Sequence, residues 1–264
     1  VDRDVFFKLL HTRVKDGGLD RLLNEWFEAG VLDDDELSYS DKGTPQGGVV
    51  SPNIANIYLH FVLDEWFERD VKPRLKGRSF LIRFADDAVL GFEYEEDARR
   101  VREVLLKRLE KYGLKAHPVK TRLVKFTRQA YGAGKDRTNG TFDFLGFTHY
   151  WAKSRRGYWV VKRRTIGKRR RRAISRFEKW CKDNRHLSVK EQWQELSQKL
   201  RGYYQYYGIR GNYDSLYWVY YMLRQAWRRW LGRRSQKGFI NWKRFQKLLE
   251  RFPLPTPRIV QRWV

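Results

Sequence analysis

The chain has 264 residues and one cysteine, Cys181, which excludes a disulfide framework and a cysteine-rich zinc site. No apolar run reaches the roughly 18–20 residues that span a bilayer, so we expect a cytoplasmic protein without a membrane partner. The net charge is +25, and all of it lies in the last 114 residues, which hold 31 basic and 6 acidic residues. This asymmetry predicts two modules, the second binding a polyanion; the alternative is a cationic surface that serves solubility.

Apolar periodicity and turn residues divide the chain into elements. In chain order they predict helices over 4–14, 19–32 and 51–71, a strand–turn–strand hairpin over 78–93, a helix over 95–114, strands over 122–126, 142–153 and 157–164, and helices over 168–183, 189–206, 213–231 and 239–251. Gly17 and Gly18 are expected to separate the first two helices. Ser51 suits an N-cap before Pro52, and Gly113 suits a helix end. Segment 37–48 is rich in turn residues and predicts a loop.

Residues 79–92, SFLIRFADDAVLGF, place two aspartates inside an apolar run that predicts a buried strand. A buried carboxylate needs a salt bridge, a tight turn that exposes it, or a bound metal ion. In a hairpin turn, Asp86 and Asp87 would project from the sheet edge, where Mg²⁺ accepts carboxylate oxygens together with substrate phosphates. Aspartate is also common in turns that have no further role.

Five sequence blocks, taken together and in this order, resemble the reverse transcriptases of group II introns, which include the intron-encoded maturases and their bacterial relatives. These blocks are GTPQGGVVSPNIANIYLHFVLDEW at 43–66, FADD at 84–87, GLKAHPVKTRLVKF at 113–126, FDFLGFTHY at 142–150 and LRGYYQYYG at 200–208. The first four resemble palm blocks, and the last resembles the maturase or thumb region.

The resemblance implies an α+β fold. It predicts a right-hand polymerase palm over 1–163, in which helices cover one face of an antiparallel sheet. A helical thumb, similar to the maturase RNA-binding domain, is expected over 164–264.

The resemblance also implies roles for individual residues. It predicts Asp86 and Asp87 as catalytic ligands of two Mg²⁺ ions. The template–nucleotide pocket is expected to contain Pro45, Gln46, Gly47 and Lys120, and the primer grip to contain Leu145 and Gly146. An ordinary helix-entry turn at Gln46, a solvated surface lysine at Lys120 and a β-bulge at Gly146 are the alternatives.

The basic half supplies candidate RNA contacts, because dense positive charge binds phosphates without reading sequence. The predicted contacts are Arg163, Arg164, Lys168, Arg169, Arg170, Arg171 and Arg172. Most of its aromatic residues (Tyr203, Tyr204, Tyr206, Tyr207, Trp218, Trp227 and Trp230) are expected in a helical core, and base stacking is the alternative. His60 and His117 lack metal-ligand spacing and are interpreted as structural, and Cys181 as unreactive.

Two features depart from the family pattern. Phe84 stands where the family usually has tyrosine, but the carboxylates remain. The family also carries a third catalytic carboxylate on an earlier palm strand, just before a segment like VDRDVFFKLL; here Asp2 and Asp4 match residues after that position. We therefore expect the fingers and the third metal ligand to be absent from these 264 residues, and the 264-residue chain alone to be inactive. It would be a fragment of a longer enzyme, half of a split enzyme, or a derivative kept for RNA binding.

The resemblance predicts an RNA-directed DNA polymerase of a retroelement, whose partners are an RNA template or intron RNA, a DNA primer, deoxynucleotides and the complementary N-terminal segment. One alternative is a non-catalytic maturase that binds intron RNA and promotes splicing. Another is a domesticated, defence-associated reverse transcriptase, including CRISPR-linked forms.

Overall fold

The computed structural model describes residues 2–28, 31–33, 36–38, 51–128, 140–235 and 238–261. The chain divides into two compact units, Val1–Leu123 and Val124–Val264. Both contain helices and small antiparallel sheets, so the predicted α+β class is confirmed. No helix in these ranges is long and apolar enough to cross a membrane.

In its described part, the first unit alternates helices with two hairpins. The bounds are α1 Arg3–Leu10, α2 Gly17–Glu28, β1 Val31–Asp33, β2 Glu36–Ser38, α3 Ser51–Leu59, β3 Ser79–Phe84, β4 Asp87–Phe92 and α4 Glu95–Lys111. Gly17 begins α2 and does not separate it from α1, and α2 ends before the predicted limit because β1 follows. Gly113 ends α4 as predicted: its φ is 66°, and the amide of Leu114 donates to the carbonyl of Leu109 at 2.8 Å, which forms a Schellman motif.

The predicted long helix over 51–71 is helical throughout but is not a regular α-helix. After α3, the segments His60–Glu65 and Phe67–Val71 are π-helical, and Lys72–Arg74 forms one 3₁₀ turn. Widening a helix rotates its later side chains relative to its earlier ones, and such insertions are frequent at functional sites. The first widened segment contains Asp64, whose contact with β3 is described below.

Two apolar clusters stabilise the first unit. One joins α1, α2 and α3 and contains Phe6, Leu10, Leu23, Phe27, Ile54, Tyr58 and Val62. The other joins the π-helical segments to α4 and contains Leu63, Trp66, Phe67, Val71 and Val101, with Leu81 and Leu90 of the β3–β4 hairpin packed against it. The hairpin is therefore supported by helices on one face.

The second unit, in its described part, combines a three-stranded antiparallel sheet with four helices. The bounds are β5 Phe142–Phe144, β6 Phe147–Lys153, β7 Trp159–Thr165, α5 Gly167–Asp183, α6 Val189–Tyr207, α7 Tyr213–Leu231 and α8 Trp242–Arg251. Ser188 and Glu191 form a capping box at the start of α6. The core contains Cys181, Leu196, Leu200, Tyr204, Leu216, Val219, Leu223, Trp227 and Phe245.

Buried polar contacts join this sheet to the helices. The side chain of Asn212 accepts a hydrogen bond from the Thr165 amide at 2.8 Å and donates to the Thr165 hydroxyl and to the Tyr207 carbonyl, each at 2.8 Å. The end of β7 is thus bound to the α6–α7 junction. This contact explains why the strands belong to the same compact unit as the helices, whereas the predicted domain boundary lies at 163/164. The division into palm and thumb remains a prediction.

Two strand predictions are wrong. Segment 122–126 forms no strand, because none of the described strands pairs with it. Segment 142–153 is not one strand but two, β5 and β6, since Leu145 and Gly146 form a tight turn between Phe144 and Phe147. The predicted strand over 157–164 does pair with β6. The helices after residue 165 begin and end close to the predicted limits.

Candidate active site and nucleic-acid interface

The aspartate pair lies at the tip of the β3–β4 hairpin, as the sequence predicted. Phe84 pairs with Asp87, which leaves Ala85 and Asp86 as a two-residue loop. Ala85 has a φ of 52°, and Asp86 is not in this left-handed region, a pattern that matches a type II′ turn. Glycine normally occupies the Ala85 position, so the alanine is held in a strained conformation.

The strand before the aspartates is not buried on both faces, as its apolar sequence suggested. Phe80, Ile82 and Phe84 are exposed, Phe84 at 65% of its surface, and Asp86 and Asp87 are exposed as well. The carboxylates therefore avoid the desolvation that a buried position would impose. Two exposed, adjacent carboxylates suit a hard divalent cation that shares its remaining positions with phosphates.

Arg83 fixes this turn to the helical layer beneath it. Its Nε and Nη2 donate to the two carboxylate oxygens of Asp64, in the first π-helical segment, at 2.7 and 2.6 Å. Its Nη1 donates to the Asn56 amide oxygen at 2.9 Å and to the carbonyl of Ala85 at 3.0 Å. The Arg83 side chain is 13% exposed and that of Asp64 26%. One guanidinium thus joins α3, the π-helical segment and the strained turn residue.

Sequence reasoning missed this contact. The available signal was an arginine between apolar residues on the inward face of a strand, which requires a partner when buried. The partner, 19 residues earlier, could not be identified from periodicity.

The histidines of the first unit have local partners. His60 Nδ1 lies 3.4 Å from Asp64, and the Val119 amide donates to His117 Nδ1 at 3.3 Å. In the described ranges, no group of three or more His, Cys, Asp or Glu side chains forms a metal site.

The predicted nucleotide-pocket residues are only partly described. Lys120 is exposed, in a turn closed by the Thr121 amide donating to the His117 carbonyl at 2.9 Å. It shares the first compact unit with the aspartate hairpin. Pro45, Gln46 and Gly47 lie outside the described residues.

The predicted primer-grip residues form the second strained turn. Leu145 and Gly146 have φ values of 48° and 82°, the pattern of a type I′ hairpin turn, so the alternative of a β-bulge is wrong. Ala85 and Leu145 are the two non-glycine residues with positive φ in the described part of the chain. Each belongs to a segment that the sequence singled out, and strain of this kind concentrates at functional sites.

Helix α6 supports the Leu145–Gly146 turn. The Tyr206 hydroxyl donates to the Leu145 carbonyl at 3.0 Å, and its ring stacks on Phe147 with centroids 6.0 Å apart. The Gly146 carbonyl accepts the Ile166 amide at 3.1 Å. A Cβ at Gly146 would lie 3.5 Å from Tyr206, an ordinary contact distance. The requirement for glycine therefore comes from its φ and not from lack of space.

The predicted RNA-contact residues divide into exposed and packed side chains. Lys168, Arg169, Arg171 and Arg172 on α5, and Arg164 on β7, are exposed. The guanidinium of Arg170 lies 4.3 Å from the Trp218 ring centroid. Arg163 is half-buried, and together with burial it lowers the pKa of His149, burial being the larger cause.

Most aromatic residues expected in the core are there. Tyr204 and Trp227 are buried, and Tyr203, Tyr207, Trp218 and Trp230 pack against them; Tyr206, with 53% exposure, is the exception. Burial also raises the pKa of the Cys181 thiol to about 12, as expected for an unreactive cysteine.

Comparison with known proteins identifies the class. Residues 7–149 match the family described as reverse transcriptase (RNA-dependent DNA polymerase), so the chain belongs to the reverse transcriptase family. This range contains the Asp86–Asp87 turn and the Leu145–Gly146 turn but ends before α5. The assignment of the helical half as a thumb or maturase domain therefore remains a prediction.

Two relatives are intron-encoded, which confirms the resemblance to intron-type reverse transcriptases. The chain is 29% identical over 140 residues to the group II intron-encoded protein LtrA of Lactococcus lactis subsp. cremoris, covering 49% of this chain and 23% of LtrA. It is 41% identical over 68 residues to an uncharacterized 91 kDa protein in a cob intron of Schizosaccharomyces pombe, covering 26% of this chain and 8% of that protein. The chain thus matches less than a quarter of the length of either relative.

The Arg83–Asp64 contact leads to a stability prediction. In a double-mutant cycle of Arg83→Met and Asp64→Leu, we expect a coupling energy of about 1–2 kcal/mol, because both partners are largely removed from water and share two hydrogen bonds. Denaturant unfolding measures it. The matched control is the exposed Lys72–Glu68 pair, 2.7 Å apart in the same helical region, whose coupling should be about 0.5 kcal/mol or less. Equal coupling energies would mean that Arg83 is not an anchor.

The strained turn leads to a second prediction. Gly146→Ala should destabilise the chain by about 1 kcal/mol, because alanine is strained at a φ of 82° even where its Cβ has space. Gly202→Ala, within α6 and with nothing within 4 Å of the added Cβ, should instead stabilise it by about 0.5–1 kcal/mol. Chemical denaturation followed by tryptophan fluorescence compares the two variants. A stabilised Gly146→Ala variant would contradict the turn geometry.

Proposed function

We propose that the chain carries the catalytic hairpin and an RNA-binding unit of a group II intron-type RNA-directed DNA polymerase. The supporting observation is the exposed Asp86–Asp87 pair on a turn that Arg83 anchors, within the region that matches the reverse transcriptase family. The chain matches only a part of the length of its relatives. Its activity, its substrates and its partners are therefore all part of this proposal.

In this proposal, Asp86 and Asp87 hold Mg²⁺. The metal, when bound, supplies Lewis-acid stabilisation of the charge that develops as a primer 3′ hydroxyl attacks a nucleotide α-phosphate. The protein's contribution is positioning. Arg83 donates a hydrogen bond to the Ala85 carbonyl, which limits how far the turn that carries the two carboxylates can move. The positive charge of Arg83 is already neutralised by Asp64. Such preorganisation makes electrostatic catalysis effective.

Helix α6 positions the primer-grip turn in the proposal, as Arg83 positions the aspartate turn. Tyr206 holds the Leu145 carbonyl by a hydrogen bond, and the stacked Phe147 ring limits the movement of the turn. We propose that this turn supports the primer end. Lys120 and the segment that contains Gln46 complete the nucleotide pocket in the proposal.

A third metal-binding carboxylate is proposed to come from an N-terminal palm segment of the family. Primer extension on an RNA template tests this, with the chain alone and with the fingers and first palm strand of a group II intron reverse transcriptase added as a separate polypeptide. We expect Mg²⁺-dependent extension only in the mixture. Asp86→Asn should lower its rate at least about a hundredfold, because metal stabilisation of the transition state amounts to several kcal/mol.

The control for that experiment is Asp70→Asn, an exposed aspartate outside the hairpin that undergoes the same change of charge. Its extension rate should match that of the unmodified chain. Extension by the chain alone would contradict the need for a supplied carboxylate. Extension in the mixture that survives Asp86→Asn would remove Asp86 from the metal site.

A second candidate function, intron-RNA binding by a maturase, is favoured by the charge of the second unit. Lys168, Arg169, Arg171 and Arg172 lie within the first turns of α5 and are all exposed, so several phosphates are within reach of one surface. Such binding requires neither Asp86 nor Lys120, and both functions can belong to one protein.

Replacing Lys168, Arg169, Arg171 and Arg172 with glutamine tests the basic surface. Affinity for structured RNA should fall across unrelated sequences, and the slope of log K against log salt should decrease by about one for each phosphate that the variant no longer binds. The control removes four exposed charges from α4 instead: Arg100, Arg102, Lys107 and Lys111. If both variants reduce the slope equally, the effect is one of net charge and α5 has no special part.

A further inference from the structure

Helix α7 presents a row of tyrosines to solvent. Tyr213, Tyr217 and Tyr221, here called the tyrosine stripe, are 48%, 51% and 45% exposed. They recur at every fourth position, so they occupy one face of the helix as direct neighbours. The rings of Tyr213 and Tyr217 are nearly parallel, with an interplanar angle of 20° and centroids 6.5 Å apart.

The stripe is not part of the apolar core. A different face of α7 fills the core of the second unit with Leu216, Val219, Leu223 and Trp227. Apart from the stripe, the exposed positions of α7 are Asp214 and Arg229, and Arg229 is paired with Glu178 of α5. A large aromatic surface left in water at three successive turns requires an explanation beyond folding.

The surroundings of the stripe are cationic. Arg224 and Arg228 continue the same face toward the C-terminus of α7. Arg228 lies 4.6 Å from the ring of Trp242, which is itself exposed, and Arg224 lies 5.5 Å from the ring of Tyr220. Asp214 is the one acidic residue in α7. On the other side of the helix, Arg170 stacks on Trp218.

We propose that the tyrosine stripe binds an unpaired polynucleotide strand by stacking its rings on successive bases. Aromatic rings in a positively charged setting bind single strands in this way, because every base offers a π face while the basic groups contact the phosphates. A duplex keeps its bases stacked on one another and offers the stripe nothing comparable. The proposal rests on the proposed nucleic-acid function, and it adds a surface distinct from the α5 cations, selective for single strands.

The test compares two triple variants of the full 264-residue chain. In one, the three tyrosines become glutamine, which removes the rings but suits a helix; in the other they become phenylalanine, which keeps the rings. Fluorescence anisotropy measures binding of a labelled oligouridine of about 12 nucleotides, within the roughly 4–16 that single-stranded sites occupy. A blunt RNA duplex of equal length is titrated in parallel. Thermal unfolding verifies that both variants fold.

We expect the glutamine variant to bind oligouridine at least about tenfold more weakly, because stacking contributes substantially per base. The phenylalanine variant should bind as the unmodified chain does, and duplex affinity should be unchanged in both. The salt slope for oligouridine should also remain unchanged, because stacking releases no counterions. Oligodeoxythymidine identifies the strand: equal affinity means that RNA and DNA bind alike, and weaker affinity means that the 2′-hydroxyl contributes.

Several outcomes separate this inference from the proposed function. If the glutamine variant binds oligouridine normally while the unmodified chain binds duplex RNA, the stripe is not a nucleic-acid site and is left as a surface for a protein partner. If glutamine and phenylalanine weaken binding equally, the hydroxyls matter and stacking is wrong. If the unmodified chain binds neither RNA, the proposed RNA-binding function itself is contradicted.

Discussion

The second unit must fold with a large excess of positive charge, and this constraint explains much of its structure. Residues 151–264 hold 31 basic and 6 acidic side chains, so ion pairs can neutralise only a minority of them. Aromatic rings stand where carboxylates would otherwise pair with the cations: Trp218 faces Arg170, Trp242 faces Arg228, and Trp230 faces Arg233. A guanidinium packed over an indole ring keeps its charge, loses little hydration and gains dispersion contact. Part of the tryptophan content of this unit therefore stabilises unpaired cations, while Trp227 belongs to the core.

A different constraint applies to the first unit, in which two exposed carboxylates must be held in a fixed place at the end of a two-stranded hairpin. A hairpin of this size is marginal by itself. One of its faces packs on the helical layer, and Arg83 extends that attachment to the turn through Asp64 and Asn56. The Leu145–Gly146 turn is held in an analogous way by Tyr206. In both places a non-glycine residue is kept at positive φ by a hydrogen bond from another side chain to its carbonyl, so the strain is sustained by tertiary contacts.

These tertiary contacts mark the limit of what the sequence predicts. The Asp86–Asp87 hairpin and the four C-terminal helices follow from local periodicity and turn chemistry, and the structure confirms them. Ala85 and Leu145 are invisible to such reasoning, because neither residue type favours positive φ. The π-helical segments leave the apolar pattern of 51–71 unchanged, and Asp64, the partner of Arg83, lies in the first of them. Segment 122–126 has strand-like composition but no strand partner among the described residues, and pairing is a property of the fold.

The same limit applies to the aromatic residues of the basic half. Tyr204 and Trp227 lie in the core, as helical periodicity suggests. Tyr213, Tyr217 and Tyr221 also recur at helical spacing, but they lie on the solvent face, so spacing alone does not separate buried from exposed aromatic residues. A helix face rich in aromatic residues is buried only when another element covers it. Among the described residues of the second unit, α7 turns Leu216 and Leu223, and not the three tyrosines, into the core. The tyrosine stripe is thus a part of the aromatic content that neither core packing nor charge stabilisation accounts for, and its three rings share one helix face. In a protein of this family, bases are the planar groups that such a surface would meet.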